Sequence, residues 1–208
     1  MLKQEYKLLK CFIEEPWKGF GFQDIMKGYS SRSYVYSRIK RLLDKGILRR
    51  NKIGNVFQYW LKFNVKSFAY LGFIAEHIAF SRKNIPFDEI EDVFLKMPTE
   101  FFIALVTGSY VKGKETKKSD LDLVIVCDDS FNKKRIYSEL RHKCEISIPF
   151  IHIYVFKQKE FLEMLLNNEE NYGKETARNN LILHGGEEYF KIISKAVGRG
   201  LSEDSLKN

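Results

Sequence analysis

Proline, cysteine, tryptophan and histidine are all scarce in this chain of 208 residues, at 4, 3, 2 and 4. Cys11, Cys127 and Cys144 lie far apart, so neither a disulfide framework nor a Cys-x-x-Cys metal site is expected. A reducing, cytoplasmic setting is the simplest expectation. Long apolar runs are missing too. With no stretch of about 18 apolar residues, no membrane span is expected. Residues 1–5 carry a charge every few positions and do not read as a signal peptide. Internal repeats and low-complexity segments are absent. What remains is 44% hydrophobic and 30% charged, the balance of a soluble globular protein with one large domain or two small ones.

The net charge of +8 is unevenly placed. Residues 1–65 hold 14 of the 35 Lys and Arg and 5 of the 27 Asp and Glu. The later residues are close to neutral. A basic excess confined to one third points to two modules, the first facing a polyanion.

In that first module, Tyr6, Leu9, Phe12 and Ile13 have helical apolar spacing. Pro16 and Gly19 to Gly21 end the helix, and Phe22 to Lys27 predicts a short second one ended by Gly28. Ser30 or Ser31 is placed to cap a third helix through Lys45. Val35, Ile39, Leu42 and Leu43 form its inner face. Arg32, Ser33, Tyr36, Ser37, Lys40 and Arg41 are left outside. Gly46 suits the left-handed position after the helix. Two strands are predicted at Ile47–Arg50 and Val56–Leu61, joined by a polar turn over Asn51–Asn55.

Three helices followed by a two-stranded ribbon resemble the winged helix-turn-helix, with "SRSYVYSRIKRLLDKGILRR" and "GNVFQYWL" carrying the likeness. The resemblance implies that the third helix enters the major groove of double-stranded DNA. Arg49, Arg50 and Lys52 of the wing would then meet phosphates. Residues 1–65 are read as this module.

Residues 66–85 form a connector, most of it in one predicted helix over residues 64–83. Phe68, Leu71, Ala75, Ile78 and Ala79 make its apolar face, widened by Tyr70, Phe73, Ile74 and Phe80. A face this wide implies burial by the second module or by another copy of the chain. His77 falls within it and is expected to be a core or interface histidine. A further short amphipathic helix follows Pro86.

Residues 86–208 carry the chemistry. An apolar strand, Phe101–Thr107, meets Gly108-Ser109; a polar loop follows; then Asp120-Leu-Asp122 opens a second apolar strand. Asp120 and Asp122, two apart on a strand, share one face, while Leu121, Leu123 and Ile125 anchor the other. Adjacent carboxylates repel unless a cation lies between them. A hard divalent ion with places left for phosphate and water suits two such oxygens. Gly108 allows close approach of a phosphate, Ser109 offers a hydroxyl and an N–H, and Lys112, Lys114, Lys117 and Lys118 make the loop positive.

The stretch "GSYVKGKETKKSDLDLVIV" is similar to the motif of the DNA polymerase beta-like nucleotidyltransferases, above all the minimal, stand-alone branch. The resemblance implies an α/β (α+β) fold with a small mixed sheet and flanking helices. It implies transfer of a nucleoside monophosphate from an NTP, ATP in the first instance, to a hydroxyl. Asp120 and Asp122 would hold Mg²⁺ or Mn²⁺, and Gly108, Ser109, Lys112 and Ser119 would hold the nucleotide. Minimal members often act beside a small helical partner protein. The family's third carboxylate, on a later strand, is replaced here by His152 in "PFIHIYVF", with Glu145 as the fallback. That departure keeps a second reading open: a DNA-binding regulator whose degenerate domain senses nucleotide or dimerises.

Beyond the motif, helix is expected from Lys159 and around His184-Gly185-Gly186, with the glycine pair as a turn. Lys174, Arg178 and His184 are candidates for approaching a nucleotide or, more simply, parts of solvated helix faces. The tail from Gly198 reads as frayed.

Overall fold

The computed structural model describes residues 2–206, with side chains described from residue 7 onward. Tyr6, one of the stripe residues, lies outside the described side chains. The fold is mixed α/β with two sheets.

The N-terminal third opens with α1 (Leu2–Glu14), whose Leu8, Leu9 and Phe12 are buried. A two-residue strand, β1 (Phe20–Gly21), leads into α2 (Phe22–Met26) and then α3 (Arg32–Asp44). Ser31 is the N-cap of α3, its side chain accepting from the Tyr34 amide at 3.3 Å. Val35, Ile39 and Leu42 are buried on its inner side, and Leu43 is half-buried. The hairpin of β2 (Leu48–Ile53) and β3 (Val56–Leu61) is longer than expected, since Asn51, Lys52 and Ile53 continue the strand. The turn shrinks to Gly54-Asn55 because Gly54, at φ 59°, takes the left-handed conformation that a two-residue hairpin needs. β1 adds to β3, giving the sheet order β1-β3-β2.

α4 (Val65–Phe80) begins in a reciprocal cap between Asn64 and Ser67, and α5 (Phe87–Phe94) follows. The second sheet has the order β6-β5-β4-β7. β4 (Phe102–Thr107) lies antiparallel to β5 (Leu121–Cys127) and to β7 (Leu181–His184). β6 (Ile151–Lys157) lies parallel to β5. Between β4 and β5 the polar loop starts as one turn of helix, α6 (Ser109–Lys112). The β5-to-β6 crossover is α7 (Lys133–Ile146), a segment for which no helix was foreseen. α8 (Gln158–Leu166) and α9 (Tyr172–Arg178) precede β7, and α10 (Gly186–Gly198) follows it. On one sheet face, Leu121, Leu123, Ile125 and Ile151 pack with Ile136 and Leu140 of α7 and Ile90 and Val93 of α5. On the other, Leu105, Val124 and Val126 join Phe161 of α8 and Tyr189 and Phe190 of α10.

That second face does not stop at the C-terminal part. The same core continues through Leu71, Ile74 and Ala75 of α4 to Leu8, Leu9 and Phe12 of α1 and Val35 and Ile39 of α3. The apolar face of α4 is thus covered by α10 and β7 of its own chain. α4 and α10 meet at two glycines. A Cβ on Gly72 would lie 2.5 Å from the Glu187 amide nitrogen, and one on Gly186 would lie 2.7 Å from Gly72 Cα. Glu76 Oε1 accepts from the Gly186 amide at 2.8 Å, tying the start of α10 to α4. Gly186 is therefore the first residue of a helix, with Gly185 in the left-handed region before it.

Two expectations need correction. His77 is not a core residue: it is exposed, stacked on the likewise exposed Phe73, because the apolar residues of α4 outnumber those its own chain covers. The tail is not frayed through residue 206. Leu201 and Leu206 are buried, Glu203 pairs with Lys18 at 3.1 Å, and Lys174 Nζ donates to the Ser205 carbonyl at 2.7 Å. Its apolar side chains complete a core assembled from distant segments, which a local reading of a polar tail misses.

Because one core spans both parts, urea unfolding should follow a single transition, and Gly72→Ala should move it. Wedging the α4–α10 crossing apart is expected to destabilise the chain by about 1–3 kcal/mol. Far-UV circular dichroism against urea measures both.

Candidate active site

Two strand ends build the site. In the β4–β5 register Thr107 pairs with Asp122, so the turn that leaves β4 at Gly108 sits over the Asp122 carboxylate. Gly108 has φ 75°, a backbone that side-chain-bearing residues avoid. A Cβ there would also come within 2.4 Å of Asp122 Oδ2. Only glycine lets the turn and the carboxylate share this space. Ser109 starts α6, and its hydroxyl makes no hydrogen bond among the described residues. Thr107 is buried and its hydroxyl donates to the Asn179 carbonyl at 2.7 Å, while Asn179 Nδ2 reaches the Gly108 carbonyl at 3.5 Å. The end of α9 therefore holds the glycine turn from behind.

Asp120 precedes β5 and Asp122 lies within it. Asp122 is the more enclosed, with 29% of its side chain exposed against 48% for Asp120. Burial pushes the Asp122 carboxyl above the ordinary carboxylate range; His152 opposes this, and Asp120 and Glu175 add to it.

His152 stands directly opposite Asp122 across the parallel β5–β6 pair. Its Nδ1 is 3.8 Å from Asp122 Oδ1 and its Nε2 is 4.0 Å from Asp120 Oδ2. The two ring nitrogens thus lie nearest different carboxylates. Among the described residues no group of three or more His, Cys, Asp or Glu has the arrangement to hold a metal ion. Glu145 sits at the end of α7, bound to Arg141 at 2.6 Å, and lines a cavity together with His152.

The other candidates divide. Lys112, Lys114, Lys117 and Lys118 are exposed around the loop. Ser119 closes that loop: its hydroxyl accepts from the Thr116 amide at 2.9 Å. Lys174 is buried under the tail, Arg178 is ion-paired with Glu170, and His184 stacks on Phe102 with ring centroids 4.4 Å apart.

Sequence reasoning missed the wall of the site. Tyr154 of β6 and Tyr172 of α9 pack with ring centroids 4.6 Å apart. Burial, and then the nearby Asp122 charge, push the Tyr172 phenol up. A shallow cavity of about 180 Å³ beside His152 is lined by Tyr137, Arg141, Glu145, Phe150 and Tyr154. The period-two alternation of β6 does place Tyr154 on the His152 face. No local signal ties α9 to a strand end some fifty residues earlier.

In the N-terminal third, Arg32, Ser33, Tyr36, Ser37, Lys40 and Arg41 are all exposed along α3, as are Arg49, Arg50 and Lys52 on β2. Three of the arginines lie over aromatic rings: Arg32 on Phe22, Arg49 on Trp60 and Arg50 on Phe57, at 5.4, 5.7 and 4.8 Å. Such stacking uses the face of the guanidinium and leaves its N–H edge for an anion.

No helix among the described residues is long and apolar enough to cross a membrane. No curated protein matches the chain. One solved structure, described as "Crystal structure of the toxin-antitoxin with AMP-PNP", is similar at 16% identity and a TM-score of 0.38, covering 53% of this chain and 86% of that one. Residues 102–180, which contain Gly108, Ser109, Asp120, Asp122 and His152, match the family model described as "Nucleotidyltransferase domain".

Proposed function

We propose that the protein transfers a nucleoside monophosphate from an NTP to a hydroxyl acceptor, and that its N-terminal third is a winged helix that binds double-stranded DNA. The observation that carries the first part is the glycine turn seated on the Asp122 carboxylate, with Asp120 beside it. That arrangement supports a triphosphate lying along the Gly108–Ser109 turn with its metal ion on the aspartates.

The donor set fits a hard divalent ion, Mg²⁺ or Mn²⁺. Asp120 and Asp122 would hold it, with phosphate oxygens and water filling the other positions. The bound ion supplies positive charge at the α-phosphate and acidifies the attacking hydroxyl. The chain's own groups do the rest. The Ser109 hydroxyl and the amides of the turn would bind phosphate oxygens. Lys112 and the loop lysines would attract the triphosphate. Tyr154 and Tyr172 would keep water from the Asp122 side. Asn179, by holding Thr107 and Gly108, would fix the turn. ATP is the first nucleotide to test, and the acceptor is a hydroxyl on a nucleic acid, a protein or a small molecule.

For the DNA-binding part, the support is the exposed outer face of α3 together with Arg49, Arg50 and Lys52 on the hairpin. The first turns of α3 would face base edges and the hairpin would lie on phosphates.

One observation favours a second reading, a regulator that senses nucleotide without transferring it. The strand position beside Asp122 holds an imidazole, which binds Mg²⁺ poorly.

Labelled ATP, CTP, GTP and UTP with Mg²⁺ or Mn²⁺ and cell extract separate the two. Transfer of label that falls to background in Asp120→Ala and Asp122→Ala is expected; metal-dependent nucleotide binding without transfer would select the sensor instead. For DNA, log K against log[salt] should fall with a negative slope, and Arg49→Ala and Arg50→Ala should each reduce it by about 1 while weakening all sequences alike. A flat salt dependence of the unmutated protein would refute DNA binding through phosphates.

A further inference from the structure

An attacking hydroxyl has to lose a proton. His152 lies against the aspartates themselves, its ring nitrogens 3.8 and 4.0 Å from their carboxylate oxygens. The fold offers another acid on α9, the helix whose two ends touch the site. Tyr172, Glu175 and Asn179 lie at i, i+3 and i+7 and so share one face of the α9 region. Both ends of that face are anchored beside the aspartates. Tyr172 packs on Tyr154, two residues along β6 from His152, and the Asn179 side chain reaches the Gly108 carbonyl through Nδ2 at 3.5 Å. Glu175 is held between these anchors.

The side chain is also available. Glu175 is exposed and makes no salt bridge or side-chain hydrogen bond among the described residues. Arg178, one turn on, is engaged by Glu170. Glu175 does not join Asp120 and Asp122 in a three-acid metal cluster. It lies instead on α9, the helix whose start packs on Tyr154 and whose end bonds Thr107.

We propose that Glu175 is the general base of the reaction, supplied by a helix rather than by the strand position that His152 holds. The assignment rests on the nucleotidyl-transfer reading above. The Glu175 carboxylate takes the proton of the acceptor O–H. The freed oxygen bonds to the α-phosphorus. The bond from the α-phosphorus to the bridging oxygen breaks, and its electron pair leaves with pyrophosphate. A positioned base of this kind is worth about 10²–10⁴ in rate.

The experiment uses the full chain with ATP and Mn²⁺, water or cell extract supplying the acceptor, and reads pyrophosphate release beside ATP affinity by calorimetry. Glu175→Gln is expected to lower kcat about 100-fold or more with the ATP dissociation constant within about twofold of the unmutated protein. Glu175→Asp should recover part of the rate, and Glu169→Gln, an exposed acid outside α9, should match the unmutated protein. Release by Glu175→Gln at the unmutated rate, or a loss of ATP affinity equal to its loss of rate, overturns the assignment and leaves nucleotidyl transfer standing. Binding of ATP by the unmutated protein with no pyrophosphate release overturns transfer itself and the base with it.

Discussion

The site depends on one close approach, that of the Gly108 backbone to the Asp122 carboxylate. It needs a residue without a Cβ, a left-handed turn at the end of β4, and the register that sets Thr107 opposite Asp122. A one-residue slip would turn Asp122 to the other face of the sheet and put an apolar neighbour beneath the turn. The buried faces of β4 and β5 resist that slip, since Leu105, Val106, Leu123 and Val124 are all inaccessible to solvent. Packing of the strand interiors thereby fixes the placement of a polar group at their ends.

Around this contact the chain uses parts that are distant in sequence. The Thr107–Asn179 hydrogen bond joins β4 to the end of α9, and the Tyr154–Tyr172 contact joins β6 to its start. α9 is clamped in turn by the tail, through the bonds from Lys174 and Arg178 to the Ser205 and Leu206 carbonyls. The tail reaches the N-terminal third through Glu203 and Lys18. With the core running from α1 through α4 to α10, the basic surface of α3 and the aspartates belong to one packed body. The wide apolar face of α4 is the seam between them.

Elements with a strong local period were readable from the chain. The stripe of Val35, Ile39 and Leu42, bounded by Ser31 and Gly46, specified α3 with its cap and its end. The alternation around Asp120 and Asp122 specified a strand opening with two acids on one face. Weaker local patterns were not readable. β7 is four residues between asparagines and glycines, and it exists because β4 offers it an edge. α6 is a single turn that its sequence does not distinguish from loop. His77 looked internal because the apolar residues of α4 outnumber the contacts available to them.

The sequence by itself determined the chemistry on offer: a glycine turn, two carboxylates two residues apart, an imidazole on a later strand, and a basic first third. Those are set by residue type and by the period of helix or strand, which are local. Tertiary structure alone decided how these groups meet. It set His152 within 4.0 Å of both aspartates, each ring nitrogen nearest a different one, and it docked α9, which carries Glu175, against the ends of β4 and β6. Both outcomes follow from strand order and helix docking, and those are governed by burial of apolar surface between segments far apart in the chain.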